Sequence, residues 1–129
     1  MQIRKYNKLT DEIKLMQMIR EEEGWDYADE IMTEKYKKAL EVSITYVAYQ
    51  EDVLCGYSRS LDDCGFYIYV CDLLVKPIFR GKEIGRKLME CLYQDYPDQT
   101  VYVMSDVDQY YEKVSYNRIG SIFEVPGTL

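Results

Sequence analysis

Leu73-Leu74-Val75-Lys76-Pro77-Ile78-Phe79-Arg80-Gly81-Lys82-Glu83-Ile84-Gly85-Arg86-Lys87-Leu88 joins a strand end, a basic turn and a helix start in sixteen residues. Its first three residues close a mostly apolar run that begins at Val70. Pro77 stops that run as a strand, because it has no N–H to give to a ladder. Beyond the turn, Ile84 and Leu88 fall at helical spacing. A strand therefore delivers the chain to a basic turn, and a helix starts there. The first amides of a helix have no partner inside it, and together with the macrodipole they make an anion site. Arg80, Lys82, Arg86 and Lys87 add side-chain charge, while Gly81 and Gly85 permit close backbone approach. A Walker A loop is excluded, since Gly81-Lys82 is followed by Glu83. A dinucleotide fingerprint is excluded because GxGxxG is absent.

Working outward, Gln2–Tyr6 is a strand candidate. Thr10 reads as an N-cap for a helix whose stripe is Ile13, Met16 and Ile19 and whose stop is Gly24. A second helix is expected from about Tyr27 to Leu40, with Ile31, Met32, Tyr36, Ala39 and Leu40 inward. Ser43–Tyr49 and Val53–Ser58 read as strands around a Glu51-Asp52 turn. Phe66–Val75 is the longer strand that leads into the quoted stretch. The helix after the turn runs from about Glu83 to Tyr96, with Ile84, Leu88, Cys91 and Leu92 inward, and Pro97-Asp98 ends it. Thr100–Met104 is a strand, Val107–Val114 a short helix and Ile119–Val125 a last strand. The order is β-α-α-β-β-β-α-β-α-β, a mixed α/β layer domain spanning residues 1–129.

Composition narrows the chemistry. Sixteen basic against 23 acidic residues give a net charge of −7, which is the wrong sign for a nucleic-acid binder. Any bound anion then needs a local basic site, as the quoted turn offers. There is no histidine, so the usual Ser/His/Asp and Cys/His nucleophile schemes are excluded. Acid–base work falls to carboxylates, Tyr, Lys or water. Cys55, Cys64, Cys71 and Cys91 show no CxxC spacing, so no metal site is expected. No apolar run reaches the roughly 20 residues of a membrane helix. With no apolar signal core at the N-terminus, a cytoplasmic protein with reduced thiols is expected. Fourteen tyrosines suit a core or cleft lined with phenols.

The quoted stretch resembles motif A of the GNAT superfamily of N-acetyltransferases. That motif has the form Arg/Gln-x-x-Gly-x-Gly/Ala after a strand ending in Val-x-Pro. Val75, Pro77, Arg80, Gly85, Ile84 and Leu88 match it, and Glu83 stands where its first glycine is expected. A carboxylate there repels a diphosphate unless it points away or caps the helix. Tyr110-Tyr111-Glu112-Lys113-Val114-Ser115-Tyr116 is similar to the family's Phe/Leu-Tyr-Glu-Lys-Leu-Gly-Phe segment, with Ser115 and Tyr116 as departures. The order of elements also looks like the GNAT fold, a central twisted mixed sheet of about six strands flanked by four helices.

The resemblance implies direct attack of an amine on the thioester of acetyl-CoA, the co-substrate, in a ternary complex. It places Leu73, Leu74 and Val75 along the pantetheine arm. It gives the pyrophosphate to Arg80, Gly81, Lys82, Glu83, Ile84, Gly85, Arg86 and Lys87. Tyr111 matches the tyrosine that protonates the leaving thiolate. Asp72, just before the cofactor-binding end of the strand, is the candidate base, acting through water. On the acceptor side, Glu23, Trp25 and Asp26 suit a small cationic amine by charge and cation–π contact. A homodimer is expected, with no nucleic-acid or membrane partner. Three other readings stay open: an acyl-CoA-binding regulatory domain without catalysis, a cysteine acyl carrier using Cys71 or Cys91, and an interaction protein with no ligand.

Overall fold

Residues rich in β-branched and aromatic side chains pair as expected into β2 (Ile44–Gln50), β3 (Val53–Asp62) and β4 (Tyr67–Val75), with β1 (Gln2–Lys5) and β5 (Thr100–Val103) at the edges. The computed structural model describes residues 1–105 and 107–127. The sheet order is β1-β2-β3-β4-β5. The first four strands are antiparallel neighbours, and β5 joins β4 in parallel. Among the described residues four α-helices flank the sheet: α1 (Lys8–Glu21), α2 (Thr33–Val42), α3 (Ile84–Asp95) and α4 (Asp108–Lys113). The fold is thus the expected mixed α/β class, with five strands in place of about six. Ile119–Val125 forms no strand among the described residues; it runs irregularly and exposed.

Two cores lie on opposite faces of the sheet. On one, α1 and α2 pack Leu15, Met16, Ile19, Tyr36 and Leu40 against Val47, Tyr49, Tyr57 and Leu74. On the other, α3 packs Ile84, Leu88 and Leu92 against Tyr46, Ala48, Ile68 and Val70. Each such fully buried aliphatic side chain contributes about 1.5–3 kcal/mol of transfer free energy.

Strand β4 changes faces part-way. Ile68 and Val70 belong to the α3 core, yet Leu74, also at an even position, belongs to the α1/α2 core. Strict alternation forbids this. The cause is a bulge: Arg59 pairs with Asp72 and Ser60 with Val70, which leaves Cys71 without a counterpart. After the bulge, Asp72 faces α2 while Leu73 and Val75 face α3.

The start of α1 differs from the expected one. Asn7, not Thr10, is the N-cap, and its Oδ1 accepts from the Leu9 amide at 3.0 Å. Ile13 points outward at 85% exposure. The face is set instead by a fully buried Asp11, one and two turns before Leu15 and Met18. Asp11 accepts from both terminal nitrogens of Arg4 at 2.8 and 2.7 Å, from the Asn7 amide at 2.7 Å and from the Tyr49 hydroxyl at 2.8 Å. It thereby ties β1, α1 and β2 together.

The helix expected from Tyr27 starts at Thr33. Asp26 and Asp29 carbonyls accept from the Asp29 and Met32 amides as successive turns. Tyr27 is drawn out of helical register because its ring stacks on Tyr36, 4.3 Å between centroids. Tertiary contact here overrides a helical pattern, and Ile31 is left exposed.

Burial opposes ionisation of Asp11, but the Arg4 guanidinium, the Asn7 amide and the Tyr49 hydroxyl outweigh it and hold the carboxyl down at about 2. A carboxyl depressed on folding stabilises fully above its unfolded value near 4 and loses that contribution as pH falls towards 2. The shift corresponds to about 2 kcal/mol. Urea unfolding should therefore show Asp11→Asn destabilised at neutral pH, with the gap to wild type closing as pH is lowered from about 5 towards 2. A gap independent of pH contradicts this.

Candidate active site

The ladder between β4 and β5 is short. It runs from Tyr67 opposite Thr100 to Val70 opposite Val103, and the Met104 amide donates to the Val70 carbonyl at 2.9 Å. Beyond this point no β5 residue is in register with β4. The backbone direction is fixed at the far end: the Lys76 amide donates to the Cys55 carbonyl on β3. The Val75 carbonyl faces the other way and accepts from Arg80 Nε at 2.9 Å. Alternation then turns the peptide groups of Leu73 and Val75 to the open edge and those of Asp72 and Leu74 to β3. The Leu74 side chain lies in the core.

A cavity of about 260 Å³ sits in this parting of the strands. Trp25, Asp26 and Tyr27 line it from the α1–α2 loop, Cys71, Asp72 and Leu73 from β4, and Ser105 and Tyr111 from the C-terminal side. Tyr111 is buried, with its ring stacked on Tyr116 at 5.8 Å. The structure thus brings Tyr111, Asp72, Trp25 and Asp26 together, while Glu23 is exposed and does not line the cavity.

Asp72 is more engaged than its sequence position suggested. Its Oδ2 accepts from Arg59 Nε at 2.6 Å and from the Tyr36 hydroxyl at 2.7 Å. Among the described residues its Oδ1 accepts only from the Tyr27 hydroxyl, at 3.1 Å. Tyr57 joins through Tyr36 at 2.5 Å between oxygens. Burial, and then the Asp72 charge, push Tyr27 up to about 12, so it remains a donor at neutral pH. Burial and the same carboxylate raise Tyr36 and Tyr57 as well. Trp25 packs edge-on to Tyr27 and Tyr57 at 5.8 and 6.3 Å. None of Tyr27, Tyr36, Tyr57 and Arg59 is a site candidate in the sequence, where Tyr36 reads only as an inward helix position, Tyr27 as a helix start and the abundance of tyrosine as a phenol-lined core or cleft.

The anion turn lies at the other end of the open edge. A 3₁₀ turn (Pro77–Phe79) leads to Gly81 at φ 83° and Glu83 at φ 64°, and α3 begins at Ile84. The first helical bond runs from the Lys87 amide to the Glu83 carbonyl at 3.0 Å. The amides of Ile84, Gly85 and Arg86 precede it and have no acceptor among the described residues, as the first amides of a helix do. Gly85 lies against Tyr110: a Cβ there would stand 2.8 Å from the Tyr110 hydroxyl and 3.6 Å from Leu73 Cδ2.

Two of the four cations in the turn are neutralised within the chain. Arg80 pairs with Glu22 at 2.7 Å, and Arg86 with Glu83 at 2.6 Å and Glu90 at 2.7 Å. Lys82 and Lys87 form no ion pair among the described residues; Lys82 Nζ lies 5.6 Å from the Phe79 ring centre. Glu83 does not cap α3 with its side chain; it turns to Arg86 instead. The open amides, with Lys82 and Lys87, fit a phosphate group at the start of α3, while the face of Gly85 is covered by Tyr110.

A family model described as acetyltransferase (GNAT) domain matches residues 15–129. The chain belongs to the GNAT acetyltransferase family. Solved structures of similar fold include an aminoglycoside 6'-acetyltransferase type Ii, 20% identical, with a TM-score of 0.78 and coverage of 93% of this chain and 85% of that one. AAC(6')-Iy in complex with the bisubstrate analog CoA-S-monomethyl-acetylneamine is 11% identical, with a TM-score of 0.76 and coverage of 99% and 98%. A GNAT family acetyltransferase from Streptococcus pneumoniae is 24% identical, with a TM-score of 0.70 and coverage of 96% and 97%. No curated protein matches the sequence. Among the described residues of this GNAT domain, no helix is long and apolar enough to cross a membrane.

Glu83 explains why its position in the GNAT motif favours glycine. A left-handed backbone costs a residue with a Cβ about 1–2 kcal/mol. Glu83→Gly is expected to raise stability by about 1 kcal/mol in urea unfolding, despite loss of the exposed pair with Arg86. Glu83→Ala keeps the strain, so it should bring no gain. Equal behaviour of the two variants contradicts the assignment of strain to this φ.

Proposed function

We propose that the protein transfers the acetyl group of acetyl-CoA to the amine of a compact cationic acceptor, by direct attack in a ternary complex. The single observation that carries the reading is the parting of β4 from β5. It opens the Leu73 and Val75 main chain between an anion site and an aromatic, acid-bearing cavity. The bisubstrate analog bound to AAC(6')-Iy joins CoA to an acetylated amine in one ligand, which suits a site with these two sides.

When bound, acetyl-CoA supplies an acetyl group activated as a thioester. Leu73 and Val75 offer main-chain hydrogen bonds to an extended, amide-bearing chain. The amides of Ile84, Gly85 and Arg86, with Lys82 and Lys87, hold a diphosphate. Arg80 joins them when Glu22 gives it up. The Tyr111 hydroxyl holds the proton that the departing sulfur takes. Asp72 receives the amine proton through water at Oδ1, its less occupied oxygen, and at the same time holds Tyr27.

The acceptor side favours a cation. Asp26 and Trp25 stand on the cavity wall, and among the described residues no lysine or arginine lines it. The cavity, about 260 Å³ and continuous with a larger groove at Met104, Ser105 and Tyr111, has room for a small amine. The protein works in the cytoplasm on a small molecule and pairs with a copy of itself; nucleic acid and membrane have no part in this reading.

Release of free thiol from acetyl-CoA across a panel of amines tests the proposal. Compact cationic amines should support turnover, and amino acids with a free carboxylate should be poor. Tyr111→Phe should lower kcat about a hundredfold, and Trp25→Ala should raise the acceptor KM about tenfold. Asp72→Asn should slow the reaction most at pH values below the amine's own pKa, where few amines are already neutral. Tight binding of acetyl-CoA with no thiol release on any amine would favour a regulatory domain without catalysis.

A further inference from the structure

Glu21, Glu22 and Glu23 stand where α1 ends, and the helix macrodipole disfavours acids there. Glu21 is engaged within α1 itself, since its Oε1 accepts from Gln17 Nε2 at 2.8 Å. Glu22 reaches across the molecule instead. Its Oε1 accepts from a terminal nitrogen of Arg80 at 2.7 Å, 58 residues away. Among the described residues this is the only ion pair that joins the α1/α2 layer to the basic turn.

Arg80 is held at both ends. Its Nε donates to the Val75 carbonyl at 2.9 Å, which fixes the guanidinium beside the open edge of β4. A charge suited to an external anion is thus already committed to a carboxylate of the same chain. Glu22 in turn holds the acceptor loop. It is the C-cap of α1, and its carbonyl accepts from the Trp25 amide at 3.3 Å. Gly24, at φ 85°, makes the bend between them. Gly24, Trp25, Asp26 and Tyr27 then line the smaller cavity. One residue therefore grips the cation of the turn with its side chain and the cavity wall with its main chain.

We propose that Glu22 is a positioning residue: in the free protein its carboxylate stands in for the cofactor's diphosphate on Arg80, and its displacement by that diphosphate resets the loop from Gly24 to Tyr27. The proposal rests on the reading that the turn takes a diphosphate. A diphosphate brings more negative charge to Arg80 than one carboxylate does, and it is held at the same time by the amides from Ile84 to Arg86. The partly exposed pair that it breaks is a weak one, so the exchange is easy. Glu22 is then left without a cation at the head of the loop, on the side where Asp26 stands. A cationic amine gains from that charge only once the donor is in place. Linkage makes the effect reciprocal, so an amine held there also tightens the cofactor.

Calorimetric titration with CoA reads the competition. Glu22→Gln frees Arg80 and should bind CoA about threefold tighter than wild type. Glu21→Gln removes the same charge one residue earlier and should bind as wild type does. In an Arg80→Gln background, Glu22→Gln should bring no gain. Equal or weaker binding by Glu22→Gln overturns the proposal, because a residue that only supported the fold or oriented Arg80 would behave so. An equal gain in Glu21→Gln overturns it too. Trp25 is the single tryptophan of the chain, so its emission reports the loop. ADP carries a diphosphate and no pantetheine arm, so it reaches the turn and not the cavity. Saturating ADP should shift the Trp25 emission of wild type. It should leave that of Glu22→Gln, already at the shifted value, unchanged. Emission that ADP does not alter in wild type, or alters equally in Glu22→Gln, overturns the link to the loop. No CoA binding by any of these proteins overturns the diphosphate reading itself, and the proposal with it.

Discussion

One extra residue in β4 shapes the site. Cys71 has no counterpart on β3, so the strand's side chains change faces there, and so do the peptide groups that follow. Before the bulge, the Val70 carbonyl serves the ladder to β5. After it, Asp72 turns to α2, and Leu73 and Val75 turn their main chains to an edge that β5 no longer covers. Without the bulge, Asp72 would point into the apolar α3 core, where an unpaired charge costs several kcal/mol. The same irregularity therefore frees a row of backbone donors and acceptors and buries a carboxylate beside them.

The buried carboxylate in turn organises the acceptor side. Arg59, Tyr36 and Tyr27 converge on Asp72 from β3, α2 and the loop before α2. The loop carrying Trp25 and Asp26 has no regular structure and is held by this network and by ring packing. A second link joins it to the anion turn, because Arg80 bonds both Glu22 at the end of α1 and the Val75 carbonyl. The two halves of the site thus touch through side chains as well as across the cavity. Ligand binding to the turn and the position of the loop are coupled to the extent that Arg80 can serve only one anion well.

The sequence read best where structure is local. The strand, basic turn and helix from Leu73 to Leu88 are contiguous, and Pro77, the glycines and the Ile84/Leu88 spacing each carry a local meaning. Misreadings arose where a distant contact decided the outcome. Asn7 and Thr10 are both good caps, and only the burial of Asp11 under Arg4 and Tyr49 selects Asn7. Tyr27 fits a helical stripe, yet its hydrogen bond to Asp72, 45 residues away, draws it out of the helix. Arg80 and Arg86 read as free cations because Glu22 lies 58 residues from Arg80, and Glu83 read as a liability in the turn rather than as the partner of Arg86. Hydropathy registers Asp72 as a lone acid in an apolar strand; its partners come from three different elements. Ile119–Val125 is rich in β-branched and aromatic residues, but a strand also needs a neighbour, and none pairs with it among the described residues.

Amide hydrogen exchange on β4 with and without acetyl-CoA tests the account most directly. The open edge predicts fast exchange at Leu73 and Val75 in the free protein and slow exchange at Asp72 and Leu74, which face β3. Binding should protect Leu73 and Val75 together with the amides from Ile84 to Arg86, and leave β1 and β2 unchanged. Protection confined to other surfaces, or Leu73 and Val75 already slow in the free protein, would contradict a site built on the parting of β4 from β5.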